Sequence, residues 1–322
     1  MNNNVKITKS CIVCKSNNIE LYASTWDRLY GHNDKIFDVY VCKECKLLFL
    51  NPMISDEDLF RMYDEDTYYA YRPFTTKRRR GPLRYIKDII LFVLFGSFSD
   101  DDPFYSYPKN ENVLNKPRRV FLDLGCGSGA KLYEMKQKGW DVRGVEISSA
   151  ASAAGNKFEL NIFNGTLVDA NFKPESFDYI RSNHSFEHLT NPAVNLIEIH
   201  KILKPGGKVL IGVPNTKSLT FMFFQRYWYY FCVPVHTYNY NVNNISRLLQ
   251  DNNFKVIKIR YVGNWQGILG SMKIWLNRKK NNVISLEGRY YDLLAVIFHQ
   301  IGRLLNCIHL GDCIEVIAQK VE

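Results

Sequence analysis

The feature that most constrains this chain is the run DLGCGSGA, Asp123 to Ala130, lodged between a short apolar segment and a helical pattern. Glycines at 125, 127 and 129 remove the Cβ atom where a strand must turn tightly into a helix and a ligand must approach the main chain. The helix that follows presents unpaired N–H groups and a partial positive charge at its start. Glu146 closes the next apolar run and puts a carboxylate where it can take both hydroxyls of a ribose. This describes any adenosine cofactor held at the switch point of a sheet. Gly125, Gly127 and Ala130 also satisfy the dinucleotide pattern G-x-G-x-x-G/A. The loop alone leaves the cofactor open.

The surrounding sequence supplies the frame. RRVFLDLG reads as a buried strand, and AKLYEMKQKG as a helix stopped by Gly139. DVRGVEIS is a second strand, and SSAASAAGNKFEL a small-residue helix with Ser148 or Ser149 as N-cap. NIFNGTLVDA supplies a short third strand and SFDYIRSNHS a fourth. Asn191 should cap a helix with Pro192 at its first position and an apolar stripe of Leu196, Ile199 and Leu203. LKPGG then turns the chain into a fifth strand, KVLIGVPN. Such alternation predicts an α/β fold with a doubly wound parallel sheet.

Asp123 breaks the tie over the cofactor. A carboxylate two residues before the first glycine repels a pyrophosphate and attracts an α-ammonium. With SFD entering the fourth strand and LKPGG preceding the fifth, residues 118–215 resemble class I S-adenosylmethionine-dependent methyltransferases. The resemblance implies a seven-stranded Rossmann-like sheet. It also implies that Asp123 and the loop of Gly125, Cys126, Gly127 and Gly129 hold the methionine moiety, and Glu146 the ribose. Val168 and Asp169 would lie against the adenine, with Asn183 and His184 lining the cleft near the sulfonium. Methyl transfer is an in-line displacement on an activated carbon, so positioning does most of the work. An oxygen nucleophile still needs a base or a metal.

NHSFEHL places His184, Glu187 and His188 directly after the fourth strand. H-x-x-E-H is also the inverted zinc-peptidase motif, but a cofactor loop and alternating strands surround it here. Methyltransferases of the ubiquinone pathway, and those that cap small-RNA ends, look similar at this point. In them E-x-x-E-H chelates a divalent ion with a downstream histidine. This chain has His184 in place of the first glutamate, and His236 in VPVH as the downstream histidine. His184, Glu187, His188 and His236 are therefore the candidate catalytic residues. They can surround a second divalent ion. Alternatively His184 or His236 is a lone general base while Glu187 and His188 order the loop, or all are structural. The sequence leaves the three open.

Two C-x-x-C knuckles, Cys11/Cys14 and Cys42/Cys45, stand 27 residues apart. Four thiolates so spaced suit a closed structural zinc site better than a redox pair. The spacer, with Trp26, Asp27, Arg28 and Tyr30, looks like a zinc-ribbon hairpin with a decorated loop. The expected organisation is an N-terminal zinc ribbon over 1–50, an aromatic and basic connector over 51–117, and a methyltransferase domain over 118–322. Within the last, 216–322 forms a substrate lid and closing strands. A ribbon, a connector containing MYDEDTYYAY and such a core resemble methyltransferases of bacterial surface-polysaccharide and glycan pathways. That resemblance implies O-methylation of a sugar or glycan intermediate, nucleotide-linked or lipid-linked.

Charge bears on the partner. Lys and Arg number 42 against 32 Asp and Glu, a formal net charge of +10. The densest cluster, KRRR at 77–80 with Arg72, Arg84 and Lys87, precedes the apolar run IILFVLF. It suits a lid gripping phosphates, a peripheral contact with an anionic membrane surface, or a solvated helix face. The rival class is an RNA methyltransferase using the ribbon to bind RNA. Against it, the basic residues cluster on the connector, and an N/D-P-P-Y tetrad is absent. The first residues lack an apolar core and no run of about 18 apolar residues exists. The expected location is the reducing cytoplasm, with membrane association on its inner face as an option. Oligomeric state leaves no trace in the sequence.

Overall fold

The computed structural model describes residues 7–29, 35–62, 118–263, 265–278 and 289–322. The KRRR cluster, the IILFVLF run, Tyr30 and most of the tyrosine-rich connector lie outside them. The chain begins with an antiparallel hairpin, β1 (Ile19–Thr25) and β2 (Phe37–Cys42), followed by β3 (Leu48–Leu50). A short helix, α1 (Asp56–Phe60), starts at Ser55, whose hydroxyl accepts the Asp58 N–H at 3.1 Å.

From residue 118 the expected alternation unfolds in order. β4 (Val120–Leu124) leads through the glycine loop to α2 (Ala130–Gln137), and Gly139 follows in the left-handed region at φ 85°. β5 (Asp141–Glu146) leads to α3 (Ser149–Asn156), where the Ser148 hydroxyl accepts the Ala151 N–H. β6 (Ile162–Asn164) and β7 (Phe177–Asn183) come next, then α4 (Pro192–Ile202) and β8 (Leu203–Pro214). Two details depart from the sequence reading. Asn191 stands at the N-cap of α4, but its side chain makes no capping bond. β8 already begins at Leu203, because Leu203 pairs with Phe177 ahead of the glycine turn.

The remainder is more helical than the sequence suggests. α5 (Leu219–Phe224) opens an aromatic strap that runs to Val233. A two-residue strand, β9 (Tyr238–Asn239), precedes α6 (Val242–Gln250) and β10 (Phe254–Val262). Then come α7 (Trp265–Leu276), α8 (Arg289–Cys307) and the closing strand β11 (Cys313–Lys320).

The seven-stranded sheet has the order β10-β11-β8-β7-β4-β5-β6, with β11 antiparallel to both neighbours. The chain travels outward from β4 to β6 and then returns to β7 on the other side. That reversal leaves a crevice at the carboxyl ends of β4 and β7, where doubly wound sheets bind ligands. Both faces are apolar, as buried parallel strands require. Leu122, Val209, Ile211 and Val213 enter one core and Phe121, Tyr179 and Leu210 the other.

The first of these cores also takes in Cys11, Val13, Val39 and Leu47 to Leu50. The N-terminal sheet is completed by β9, which pairs with β3 through Leu48↔Asn239 and Phe49↔Tyr238. No helix among the described residues is long and apolar enough to cross a membrane.

The strap is pinned by Asp312, a buried carboxylate that accepts Trp228 Nε1–H at 2.9 Å and the Thr220 hydroxyl at 3.1 Å. Replacing Trp228 by Phe keeps most of the volume but strands one of these acceptors. Stability in urea titration should fall by about 1–3 kcal/mol. An unchanged midpoint would show that the strap does not depend on this bond.

Candidate active site

A cavity of about 810 Å³ opens at the carboxyl ends of β4, β5 and β7, within the size range of cofactor pockets. Gly125, Glu146, Val168, Asp169, Asn183, His184 and His188, all expected from sequence, line it. Asp123, Cys126, Gly127, Gly129, Glu187 and His236 do not reach its wall.

The loop geometry explains the glycines. Gly125, Gly127 and Gly129 have φ of 66°, 54° and 90°, a region costly for residues with a Cβ. A Cβ on Gly125 would come within 2.6 Å of the Ser185 Cβ, so the close approach of this loop to the end of β7 requires glycine. Ser185 in turn donates to the Leu124 carbonyl at 2.8 Å and shares a hydrogen bond with Ser182 at 2.7 Å. Glu146 is buried, and its two oxygens accept the Gly127 N–H at 2.7 Å and the Ser148 N–H at 3.0 Å. Burial nevertheless pushes its carboxyl above the usual range, and these backbone donors only partly offset it.

Asp123 lies almost fully buried under the loop, in an ion pair with Arg181 at 3.0 Å. Sequence reading missed Arg181, because only the β4–β7 register sets Asp123 opposite it. It also missed Asp56, Leu59 and Phe60 on α1, which wall the cavity from the N-terminal side. Gly212 was missed too: a Cβ there would collide with Asn183 Oδ1.

The histidines gather around Glu187. This carboxylate sits on a single 3-10 turn, Phe186–His188, wholly buried, and neither oxygen has a hydrogen-bond partner. His184 Nδ1 stands 3.4 Å from Oε1 without hydrogen-bond alignment, and His236 Nε2 3.9 Å away. His188 Nδ1 donates to the Val235 carbonyl and His236 Nδ1 to the Tyr230 carbonyl, each at 2.8 Å. Those bonds fix the tautomers, so Nε2 is the acceptor atom of each neutral ring. Burial holds His236 down to about 3, and His188 below its usual value, so both rings are neutral at pH 7. Glu187 is held down to about 2: burial opposes its charge, and His184, itself raised well above the usual imidazole value, leads the histidines that outweigh burial.

At the N-terminus the four cysteine sulfurs lie within 4.8 Å of one another, with Cys11–Cys45 at 3.5 Å and Cys14–Cys42 at 3.3 Å. Lys15 and Lys46, each directly after its knuckle, have φ of 63° and 60° and close two matching turns.

Comparison with known proteins fits this geometry. Residues 101–259, about half of the chain, match the family described as "Methyltransferase domain". The chain carries a class I S-adenosylmethionine-dependent methyltransferase domain. Among curated relatives, the ubiquinone biosynthesis O-methyltransferase of Pseudomonas paraeruginosa is 29% identical over 114 residues, 33% of this chain and 48% of that protein. The protein of the same name from Pseudomonas fluorescens is 27% identical over 119 residues, 34% of this chain and 50% of that one. The chain thus spans about half the length of the curated relatives it matches. Among solved structures, a SAM-dependent methyltransferase from Archaeoglobus fulgidus superposes with a TM-score of 0.45 at 21% identity, covering 64% of this chain and 87% of that one.

The methyltransferase domain fits its cofactor on its own geometry: a glycine cradle that a Cβ would obstruct, a buried Glu146 at the rim, and apolar walls from Leu124, Val145 and Leu167. The cysteine tetrad fits zinc. Tetrahedral coordination at about 2.3 Å requires sulfurs roughly 3.8 Å apart, and these can reach it with small side-chain shifts. The Glu187, His188 and His236 ligand atoms likewise lie within 4.8 Å of one another. A buried carboxylate without a donor, facing imidazole acceptors, suits a divalent cation.

Two outcomes follow for this domain. Glu146→Gln keeps the shape but removes the charge that draws ribose hydroxyls. The dissociation constant for S-adenosylmethionine, measured by calorimetry, should rise about 10-fold or more. Cys14→Ser should abolish stoichiometric zinc in elemental analysis. Because the tetrad shares a core with the sheet, the melting temperature of the whole chain should fall by on the order of 10 °C in one transition.

Proposed function

We propose that this protein methylates a hydroxyl of a sugar or glycan intermediate, with Glu187, His188 and His236 holding a divalent ion and Cys11, Cys14, Cys42 and Cys45 a structural zinc. The observation that carries the metal-assisted reading is the Glu187 carboxylate, wholly buried with no donor on either oxygen. S-adenosylmethionine supplies an activated methyl group, which leaves the chain to align an acceptor oxygen and deal with its proton. A divalent ion at the Glu187 cluster would lower the pKa of an acceptor hydroxyl.

The chain's own residues divide the remaining tasks. Asp123, held by Arg181, keeps negative charge beneath the methionine end of the loop. Glu146 faces the ribose, and Val168 and Asp169 border the adenine side. His184 and His188, on the cavity wall, stand where an acceptor oxygen would meet the methyl group; His188 Nε2 would hold the ion, whose charge eases loss of the acceptor's proton. Hydroxyl-rich acceptors are supported by a polar lining that includes Asp56, Thr190, Asn191 and Asn195. The printed name of the curated relatives supports oxygen as the atom methylated. The RNA reading has less support: the ribbon's β3 edge is taken up by β9, and its inner face is buried in the core.

Glu187→Gln tests the reading. Divalent metal retained after gel filtration should be lost, and turnover with sugar-nucleotide acceptors, followed as S-adenosylhomocysteine, should fall by roughly 10²–10⁴-fold. Affinity for S-adenosylmethionine should stay within about 3-fold, a small free-energy change. Full turnover in this variant would remove the metal-assisted mechanism.

A further inference from the structure

The strap between α5 and β9 meets the candidate site through Tyr230, which stacks on His184 at 6.3 Å between ring centroids. Arg28 from the loop after β1 and Arg226 from the strap line a second, small cleft, together with Trp26 and Trp228. The Arg28 guanidinium lies 4.0 Å over the Trp26 ring and 5.1 Å from that of Tyr227. Arg226 lies 5.2 Å from the same Tyr227 ring, and its Nη2 donates to the Tyr227 hydroxyl at 3.2 Å.

Two guanidiniums thus share one aromatic ring. Among the described residues neither has a carboxylate within ion-pair distance, although the chain elsewhere pairs Arg143, Arg181 and Arg260 with acids. Arg28 Nε is buried and has no hydrogen-bond partner. Burial works against the charge on Arg28; Tyr227 favours that charge, and the like charge of Arg226 opposes it. A like-charged pair held together by aromatic stacking, with a stranded donor, needs an anion.

We propose that Arg28 and Arg226 form a phosphate-binding site that anchors the phosphate or diphosphate of the acceptor. The cleft itself encloses only about 10 Å³, so the anion would sit at its mouth, across the two planar forks. Tyr227 and Tyr230 are three positions apart, about 10 Å of backbone at most. That is the scale of one sugar joined to its phosphate, which would let the anchor act while a hydroxyl lies near His184. The acceptor role rests on the O-methylation reading above; the anion site itself does not.

Calorimetry on the full chain tests it with three probes: inorganic pyrophosphate, UDP-glucose, and phosphatidylcholine vesicles doped with polyprenyl diphosphate. Arg28→Gln and Arg226→Gln should each weaken pyrophosphate binding about 10- to 100-fold, the worth of a charge-assisted hydrogen bond. S-adenosylmethionine affinity should not change. Arg226 is exposed, so its variant folds even if Arg28→Gln does not. Arginine-dependent binding of UDP-glucose identifies a soluble acceptor, and arginine-dependent binding of the doped vesicles alone a lipid-linked one; either supports the site. No binding by the unaltered protein, or equal binding by protein and variants, overturns it. If the anion binds through the arginines but no sugar is methylated, the acceptor reading falls and the site stands. If sugars are methylated with kcat/KM unchanged in both variants, the anchoring role falls and the acceptor reading stands.

Discussion

A negative charge sealed in a protein interior dictates what can surround it, and Glu187 is that charge here. With no donor on either oxygen, it is tolerable only beside groups that bring or bind positive charge. The chain converges on it accordingly. The chain after β7 delivers His184 and His188, and the segment between the strap and β9 delivers His236, while Thr237 fastens the two by donating to the Glu187 and Leu189 carbonyls. Two residues on, Tyr238 begins β9, which belongs to the N-terminal sheet. The cysteine-bearing module and the charged centre are therefore linked by a few residues of extended chain.

This linkage gives the N-terminal module a role in the site beyond decoration. Its β3 fixes β9, and α1 walls the cavity, where Asp56 accepts a hydrogen bond from Thr190. The aromatic strap is held from the opposite end by Asp312, next to Cys313 on the closing strand. Whatever binds in the cavity is thus enclosed by segments drawn from residues 56 to 60, 182 to 199 and the cofactor loops.

Much of this was legible in the sequence, and the reason is locality. A strand, a glycine turn and a helix announce themselves over a dozen residues, so β4 to β8 emerge in the expected order. Two matched C-x-x-C knuckles carry their own turn geometry, and the four sulfurs come together. Glu187, His188 and His236 also converge, though His236 is far along the chain. What stayed hidden depends on partners set by tertiary register. Nothing near Asp123 announces Arg181, since the two meet only across parallel strands. Gly212 reads as an ordinary strand glycine until Asn183 is seen above it. Asn191 had the right type for a cap, but its backbone geometry directs the side chain elsewhere. β9 is too short for any periodicity to reveal.

The β3–β9 pairing has a consequence for how the polypeptide is made. Its two partners are separated in sequence by five of the seven strands of the large sheet, so this contact is of high order and closes late. During synthesis the knuckles, with their short-range turns, leave the ribosome complete and able to take up metal. The edge of β3 must then wait, unpaired, until Tyr238 and Asn239 follow. An exposed strand edge held for that interval invites pairing with other nascent chains. The brevity of β3, three residues, limits how much ladder a wrong partner can form.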